Sequence, residues 1–395
     1  MPQTDGEKVG SIYLDHNATT PIDPIVVTAM EPFLRTHFGN PSSVEHEHGH
    51  TAGQAVNRAR EQVAAAIKAS PSEIVFTGSC TEANNMAILG VARAQPEKRH
   101  FITTQIEHPS VLEPARALER DGWRVTYVGV DGTGRVSPEA IAAAITADTA
   151  LVSVMAANNE VGTLQPIREI GSICSECGVL FHTDLAQIIA YGDVDVGRDN
   201  IHLASLSAHK AYGPKGIGAL YIRSRRPRAR VAPILFGGGQ ERGLRPGTLN
   251  TSAIVGMGEA FAIAARTALS EAARLRPFCT QFREGLMSAV PGTQLNGHPT
   301  ERLVNNLSFS IEGVEPLALI RRLRDRVSFS ASSACATDKI ETSHVLKAMF
   351  GDSERARIAF RVAPGRFTNE AEMNQALQWI VGEVERLRGA SQPAA

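Results

Sequence analysis

Short apolar segments alternate with segments of helical length from residue 74 to residue 222, and this alternation restricts the fold more than any other feature of the chain. The apolar segments are bounded by turn residues and are rich in β-branched residues, as buried strands are. Strands that alternate with helices form a mostly parallel sheet with helices on both faces. The predicted strands are 74–77, 100–104, 125–128, 150–155, 179–183, 201–206 and 218–222, and the predicted helices are 82–92, 110–121, 138–145 and 167–177. We therefore predict an α/β fold with a seven-stranded sheet and a functional site where strands end.

The pattern changes after Asn250. An Ala-rich helix is predicted from Thr251 to Glu271, and the pattern allows it to continue to Val290. Further strands are predicted over 305–311 and 327–330, and a helix over 369–387. We predict a large domain over residues 22–265 and a smaller α+β domain formed by residues 1–21 together with 266–395.

Composition excludes several classes of function. The 395 residues carry a formal net charge of −1, which argues against a broad surface for nucleic acid or membrane. The basic run 223–230 is interpreted as a solvated loop in preference to a docking patch. No stretch is interpreted as the roughly 18 apolar residues of a membrane span. The N-terminus lacks an apolar signal region, so we predict a soluble, cytoplasmic protein.

The five cysteines do not suggest a disulfide framework, because their number is odd and they are scattered along the chain. Cys174 and Cys177 have the spacing of a redox or metal motif. They lie in a predicted amphipathic helix, and no second pair follows at the distance of a zinc site. We interpret them as ordinary helix cysteines and predict no metal site.

Two consecutive predicted strands end in residues suited to pyridoxal phosphate. Asp184 and Gln187 follow the strand 179–183, and Lys210 follows the strand 201–206. A lysine can form a Schiff base with the cofactor aldehyde, a carboxylate can keep the ring nitrogen protonated, and an amide can bind the ring hydroxyl. A lone lysine after a strand is more often only solvated, so the prediction depends on the other parts of a site.

Several such parts are present. Gly78–Glu82 lies between a strand and a helix and is a candidate phosphate cradle, although it lacks the Gly-Lys-Ser/Thr ending of a nucleotide-binding loop. Ser207 and His209 could direct further donors at the same phosphate. His108 follows a strand and could stack on a cofactor ring and carry protons, although a surface histidine is an equal alternative. Asn159 opens a loop after the fourth strand and offers another polar contact.

Three further features lie outside the strand ends. The glycine-rich run 237–248 implies a close backbone approach or a subunit contact. Cys335 stands among small polar residues and is a candidate nucleophile, the alternative being a small buried hydrophobic side chain. Arg361 follows a strand-like segment and could bind a substrate carboxylate through two parallel hydrogen bonds.

Taken together, these motifs resemble the cysteine desulfurases typified by NifS and IscS, a branch of the type I pyridoxal phosphate enzymes. The resemblance covers nearly the whole chain. The motifs that carry it are Tyr13–Pro21, Gly39–Ser43 with His46, Asn158–Gly162, His209–Gly216, Gly237–Thr248, Ser333–Cys335, Ser343–Leu346, and Arg361 with Gly365–Thr368.

The resemblance implies the type I fold and a homodimer with pyridoxal 5'-phosphate near the subunit interface. It implies catalytic roles for Lys210, His108 and Cys335, the last as the residue that takes the sulfur of L-cysteine as a persulfide for a sulfur-acceptor protein. The residues implied to bind the cofactor are Cys80, Thr81, His108, Asn159, Asp184, Gln187, Ser207, His209, Lys210 and, from the partner chain, Thr248. Those implied to bind the substrate are Asn40, Asn159 and Arg361.

The sequence departs from the family pattern at three places, one of which is Ala363-Pro364 after Arg361, where relatives more usually have Ser-Leu. The phosphate turn reads Ser79-Cys80-Thr81 where relatives commonly have Gly-Ala-Thr, which puts a second thiol beside the cofactor. The usual glycine two residues before Cys335 is missing, which suggests a stiffer sulfur-carrying arm. The alternatives are another pyridoxal phosphate lyase or a class-V aminotransferase with an incidental Cys335, and a scaffold or sulfur-relay protein without catalysis. Iron–sulfur assembly, tRNA thiolation and DNA phosphorothioation, the last in the DndA branch, remain open as pathways.

Overall fold

The computed structural model describes residues 11–331 and 342–390. Its centre is a seven-stranded sheet with strand order β2-β8-β7-β6-β5-β3-β4, in which only β8 runs antiparallel to its neighbours. The strands are β1 (Ile12–Tyr13), β2 (Ile74–Thr77), β3 (His100–Thr104), β4 (Arg124–Val128), β5 (Thr149–Ser153), β6 (Leu180–Asp184), β7 (Leu203–Ser207), β8 (Gly218–Ile222), β9 (Thr293–Asn296), β10 (Leu307–Ile311), β11 (Val327–Ser328), β12 (Ser330–Ala331) and β13 (Ala359–Val362). The prediction of an α/β fold with a mostly parallel sheet is confirmed.

Helices cover both faces of this sheet. The helices among the described residues are α1 (Pro24–Arg35), α2 (Glu47–Ala66), α3 (Cys80–Ala94), α4 (Pro109–Arg120), α5 (Pro138–Ala144), α6 (Ile167–Glu176), α7 (Thr251–Ala289), α8 (Pro316–Leu323), α9 (His344–Phe350), α10 (Glu354–Arg357) and α11 (Glu370–Ala390). Of these, α8 and α10 contact strands outside this sheet. The middle strands β3, β5 and β7 are buried along their whole length, because apolar cores lie on both faces. Helices α3 and α4 pack against each other, and α3 also contacts the sheet.

A second sheet, with strand order β12-β13-β10-β9, forms the core of a smaller unit. The segment predicted as one strand over 327–330 divides at Phe329. Its first half pairs in parallel with β1 and its second half pairs with β13. The N-terminal strand therefore joins this smaller unit, in the way that the predicted grouping of 1–21 with 266–395 requires, although the domain boundaries stay a prediction.

Helix α7 is 39 residues long and does not break at residue 265. In the described part of the chain it is the one helix whose length and hydropathy would suit a membrane span, which the sequence prediction did not anticipate. Its apolar window is 56% buried, and the helix packs against α1, α2 and α11. Packing inside the protein therefore accounts for its apolar character.

Candidate active site

The carboxylate of Asp184 lies at the carboxyl end of β6 and is buried. Three groups donate hydrogen bonds to it: the Ala186 N–H at 2.9 Å, the Asn84 amide at 2.8 Å and the Cys80 thiol at 3.5 Å. These donors fix the carboxylate and stabilise its negative charge. The sequence prediction anticipated Asp184 but not Asn84.

Lys210 stands three residues beyond β7, the strand next to β6 in the sheet. The loop that carries it is fixed by the segment after β1, since the Thr20 N–H and hydroxyl both donate to the His209 carbonyl at 2.9 Å. Burial, and secondly the charge of Lys210, lower the pKa of His209 to about 4, so its imidazole is neutral. A neutral His209 bonds to Thr19, at 3.1 Å.

The turn before α3 has the features of an anion site. Ser79 caps the helix by accepting from the Glu82 N–H at 3.1 Å, so the N–H groups of Cys80 and Thr81 lie ahead of the helix's own hydrogen bonds. Gly218 passes so close that a Cβ there would lie 2.6 Å from the Ser79 carbonyl carbon. The Glu82 carboxylate holds the turn, accepting from the Gly78 N–H and pairing with Arg245 at 2.8 Å.

The thiol of Cys80 is not a second nucleophile. Burial, with a further contribution from the Asp184 charge, raises its pKa well above the usual value, against an opposing effect of Lys210. The thiol is therefore protonated at neutral pH, which agrees with its hydrogen bond to Asp184. A protonated thiol is a poor nucleophile, so the pKa shift argues against a reactive role for the extra thiol in the phosphate turn.

His108 caps α4 and is partly buried. Its Nδ1 lies 3.1 Å from the Ser110 N–H and 2.8 Å from the Ser110 hydroxyl. Burial lowers its pKa; Asp184 opposes that effect and Lys210 reinforces it. Asn84 donates both to Asp184 and to the Ser110 hydroxyl that bonds to His108, so hydrogen bonds connect this ring to the Asp184 carboxylate.

The amide of Gln187 is held by Asn17, which the sequence prediction did not single out. Asn17 donates to the Gln187 amide oxygen and its carbonyl accepts from the Gln187 amide nitrogen, each at 3.0 Å. Asn306 extends the network by donating to the Asn17 amide oxygen and to the Asn159 carbonyl, both at 3.1 Å. Gln187 and Asn159 therefore belong to one connected set of amides.

The guanidinium of Arg361 is buried and already has partners within the chain. It forms an ion pair with Asp15 at 2.6 Å and donates to the Asn159 carbonyl at 2.6 Å, while its Nε has no partner within the described residues. Ser330 also donates to Asp15, at 2.5 Å. A carboxylate ligand would bind beside this pair, and the sequence prediction missed Asp15.

A half-buried acid, Glu160, directly follows Asn159 in the chain, and the Asn159 carbonyl accepts a hydrogen bond from Arg361 of this ion pair. Burial raises the pKa of Glu160 to about 7, although a hydrogen bond from Ser343 and the charge of Arg361 both lower it. Ser343 caps α9.

Three predicted site residues are not drawn into these networks. Asn40 is exposed and caps its own turn by accepting from the Ser42 N–H at 3.0 Å. Thr248 is exposed, and its hydroxyl makes no hydrogen bond to the residues that the structure describes. Cys335 lies outside the described residues. The roles expected for all three stay predictions.

The residues present fit pyridoxal phosphate. The free helix N–H groups of Cys80 and Thr81, together with the unbonded Ser207 hydroxyl among the described residues, provide donors for a phosphate. Asp184 provides a fixed carboxylate, and Lys210 an amine at the neighbouring strand end. Within the described ranges, no group of three His, Cys, Asp or Glu side chains could hold a metal ion.

Comparison with known proteins identifies the family. The class-V aminotransferase family matches residues 12–363. The chain is 44% identical to a cysteine desulfurase, IscS, of Rickettsia bellii, over 96% of this chain and 92% of the relative. A solved NifS-like protein superimposes with a TM-score of 0.89 at 36% identity, covering 95% of this chain and all of that one. DndA from Streptomyces lividans gives a TM-score of 0.76 at 35% identity, covering 88% and 97%.

The chain therefore belongs to the class-V aminotransferases, a pyridoxal phosphate-dependent family, and within it to the cysteine desulfurases. Its fold is that of the type I pyridoxal phosphate enzymes, as the resemblance implied.

Proposed function

We propose that this protein binds pyridoxal 5'-phosphate and converts L-cysteine to L-alanine, passing the sulfur to Cys335 as a persulfide. The observation that carries the proposal is the convergence at neighbouring strand ends of Asp184, with its three donors, and Lys210, beside the open N-terminus of α3. Similarity to IscS over nearly the full length supports the same activity.

The cofactor, when bound, supplies an electron sink that stabilises negative charge at the substrate α-carbon. Asp184 would hold a proton at the ring nitrogen, and Gln187, fixed by Asn17, would orient the ring hydroxyl. Thr81, Ser207 and His209 would bind the phosphate, with the Cys80 backbone N–H. The Lys210 amine would hold the cofactor and take up the α-proton of the substrate.

Substrate binding is assigned to Arg361, Asn159 and Asn40. The Arg361 guanidinium suits a carboxylate, and its ion pair with Asp15 holds it in place. Cys335 would attack the substrate sulfur: the Cys335 S–S bond forms as the substrate C–S bond breaks, and the electron pair of that bond remains on the carbon fragment. That fragment takes up protons to give alanine. A thiolate is needed, because a free thiol has a pKa of about 8.5.

A homodimer is part of the proposal. Large apolar side chains are exposed on α1 and the segments near it, including Ile25, Leu34, Phe38 and Val44, and Phe236 is exposed at the start of the glycine-rich run. Such exposure is typical of a protein-protein interface. Thr248, also exposed, would reach the phosphate of the partner's cofactor. The product sulfur would go to an acceptor protein in the cytoplasm, and we expect no direct binding of nucleic acid.

The proposal is tested with purified protein. Wild type should show visible absorbance from the bound cofactor and release alanine from L-cysteine. Lys210→Ala should abolish the alanine release and change the absorbance, whereas Lys215→Ala, an exposed lysine of the same loop, should change neither. Wild type without cofactor absorbance, or Lys210→Ala with unchanged absorbance and turnover, would contradict the proposal.

Persulfide mass spectrometry after a single turnover separates this reaction from that of another lyase or aminotransferase. The sulfur should appear on Cys335. Cys335→Ser should reduce alanine release to near background, and Cys177→Ser, an exposed cysteine in the CxxC pair, serves as the control. Full turnover without Cys335 would favour the alternative in which this cysteine is incidental.

A further inference from the structure

Asn84 is buried on α3 and its side chain has one possible orientation. The same amide nitrogen lies 2.8 Å from Asp184 Oδ2 and 2.8 Å from Ser110 Oγ. A carboxylate only accepts hydrogen bonds, so the group facing Asp184 is the NH₂ and not the carbonyl oxygen. Both N–H bonds of Asn84 are then used, and its Oδ1 has no partner among the described residues.

This orientation decides what the Ser110 hydroxyl does. The Oγ accepts from Asn84, so its own proton is left to be donated. His108 Nδ1 lies 2.8 Å from that oxygen and is the acceptor available to it. A relay of hydrogen bonds thus runs from the Asp184 carboxylate through Asn84 and Ser110 to the ring of His108.

The backbone N–H of Ser110 also requires that His108 Nδ1 accept a hydrogen bond. This N–H lies 3.1 Å from His108 Nδ1, and a backbone N–H cannot act as an acceptor. Nδ1 must therefore carry a lone pair. In a neutral imidazole, the proton is then on Nε2.

The charged groups around His108 do not favour its protonation overall. Burial is the largest effect on its pKa and lowers it; Asp184 raises it, while Lys210 and His344 lower it further. Protonation at Nδ1 would also break two hydrogen bonds. The ring is therefore neutral near pH 7.

We propose that Asn84 and Ser110 are positioning residues that hold His108 as the neutral Nε2–H tautomer. This inference rests on the proposed function and refines it. His108 then offers the substrate and cofactor a hydrogen-bond donor at Nε2 and cannot take a proton there. The expected role of His108 as a carrier of protons is thereby limited to donation from Nε2, and the Lys210 amine is the base of the site.

The test is ¹⁵N NMR of the holoenzyme labelled at its 12 histidines, with His108→Gln to assign the signal. We expect Nδ1 unprotonated and Nε2 protonated at pH 7. Ser110→Ala removes the hydroxyl but keeps the backbone N–H. Loss of one hydrogen bond to the neutral ring should raise the proton affinity of His108 about fivefold. Ser110→Thr should restore the wild-type value, and Ser172→Ala on α6 should leave it unchanged.

A protonated Nδ1 in wild type, or an unchanged pKa of His108 in Ser110→Ala, would overturn the inference while leaving the proposed function intact. If Ser110→Ala does not fold, Asn84→Ala gives the second test, since loss of its donor should also change the titration of His108. The proposed function has its own readout, cofactor absorbance and alanine release. The tautomer of His108 depends only on contacts within this chain. The tautomer inference can therefore be wrong while the proposed function is right, and the proposed function can be wrong while the tautomer inference is right.

Discussion

The Arg361–Asp15 ion pair should be the strongest single electrostatic coupling at the site. The paired atoms are 2.6 Å apart, and the side chains are 8% and 18% exposed. Two unit charges about 4 Å apart attract by about 4 kcal/mol at an effective dielectric constant of about 20. Removing one partner of a buried pair typically costs about 3–5 kcal/mol. Because Asp15 is partly exposed and keeps its bond from Ser330, we expect a coupling of about 2–4 kcal/mol.

A double-mutant cycle measures this coupling. Asp15→Asn, Arg361→Gln and the double variant are compared with wild type by denaturant unfolding, monitored on a probe that follows the smaller unit. Each single change should destabilise the protein, and the double change should cost clearly less than their sum. Arg361→Gln should also raise KM for L-cysteine, and by more than Asp15→Asn does, since Asp15→Asn keeps the positive charge and removes only the partner that holds it in place. Additivity within about 0.5 kcal/mol would refute the reasoning.

Three further predictions concern the cofactor, the dimer and pH. Asp184→Ala removes the acceptor of three hydrogen bonds, so the absorbance of the bound cofactor should fall severalfold. Asp193→Ala, at an exposed aspartate, is the control and should keep that absorbance. Unchanged cofactor absorbance in both variants would contradict the role of Asp184. Mixing Thr248→Ala with Lys210→Ala subunits should give mixed dimers in which one site carries both changes and the other, with Lys210 from one chain and Thr248 from its partner, is intact. The mixture should therefore exceed the summed activity of the two variants kept apart and match a mixture of Ser252→Ala with Lys210→Ala; activity no higher than that sum would argue against a contribution across the interface. Burial lowers the pKa of His100, His182, His202 and His209 to about 4, so the unfolded state binds more protons there below pH 6.5, and stability should fall as the pH drops from about 6.5 to 4.5. Glu107 and Glu160 act in the opposite direction, because their pKa values are raised to about 8 and about 7 and the folded state therefore binds more protons at these two sites. Four histidines should outweigh two glutamates, so a melting temperature that rises as the pH falls from about 6.5 to 4.5 would refute the prediction.

The sequence predicts the residues that stand at strand ends, because the alternation of strands and helices determines which ends meet. Asp184 and Lys210 were found in this way. Asn84 and Asn17 were not, since their partners Asp184 and Gln187 lie 100 and 170 residues further along the chain. A local pattern contains no information on such distant pairings. Asp15 and Asn17 do lie inside the motif Tyr13–Pro21, so a signal was present, but the motif alone does not say which side chains its residues contact.

Secondary-structure boundaries differ from the prediction for a physical reason. The segment 327–330 has the composition of one strand, but its two halves pair with different partners, β1 and β13. Helices α1 and α2 were not predicted. Charged, polar and alanine residues make up most of α2, so it lacks a clear apolar stripe, and it forms because its small buried residues, such as Gly49 and Ala52, allow close packing.

Helix α7 has a consequence for how the chain could be divided into pieces. At about 1.5 Å per residue its 39 residues extend roughly 58 Å, and it packs against α1 and α2 as well as α11. A cut at residue 265 would divide α7, so each fragment would keep only part of this helix and lack the rest of it. The two units are therefore not separate modules that recombination could exchange at that boundary, and fragments divided there would need to reassemble to become stable.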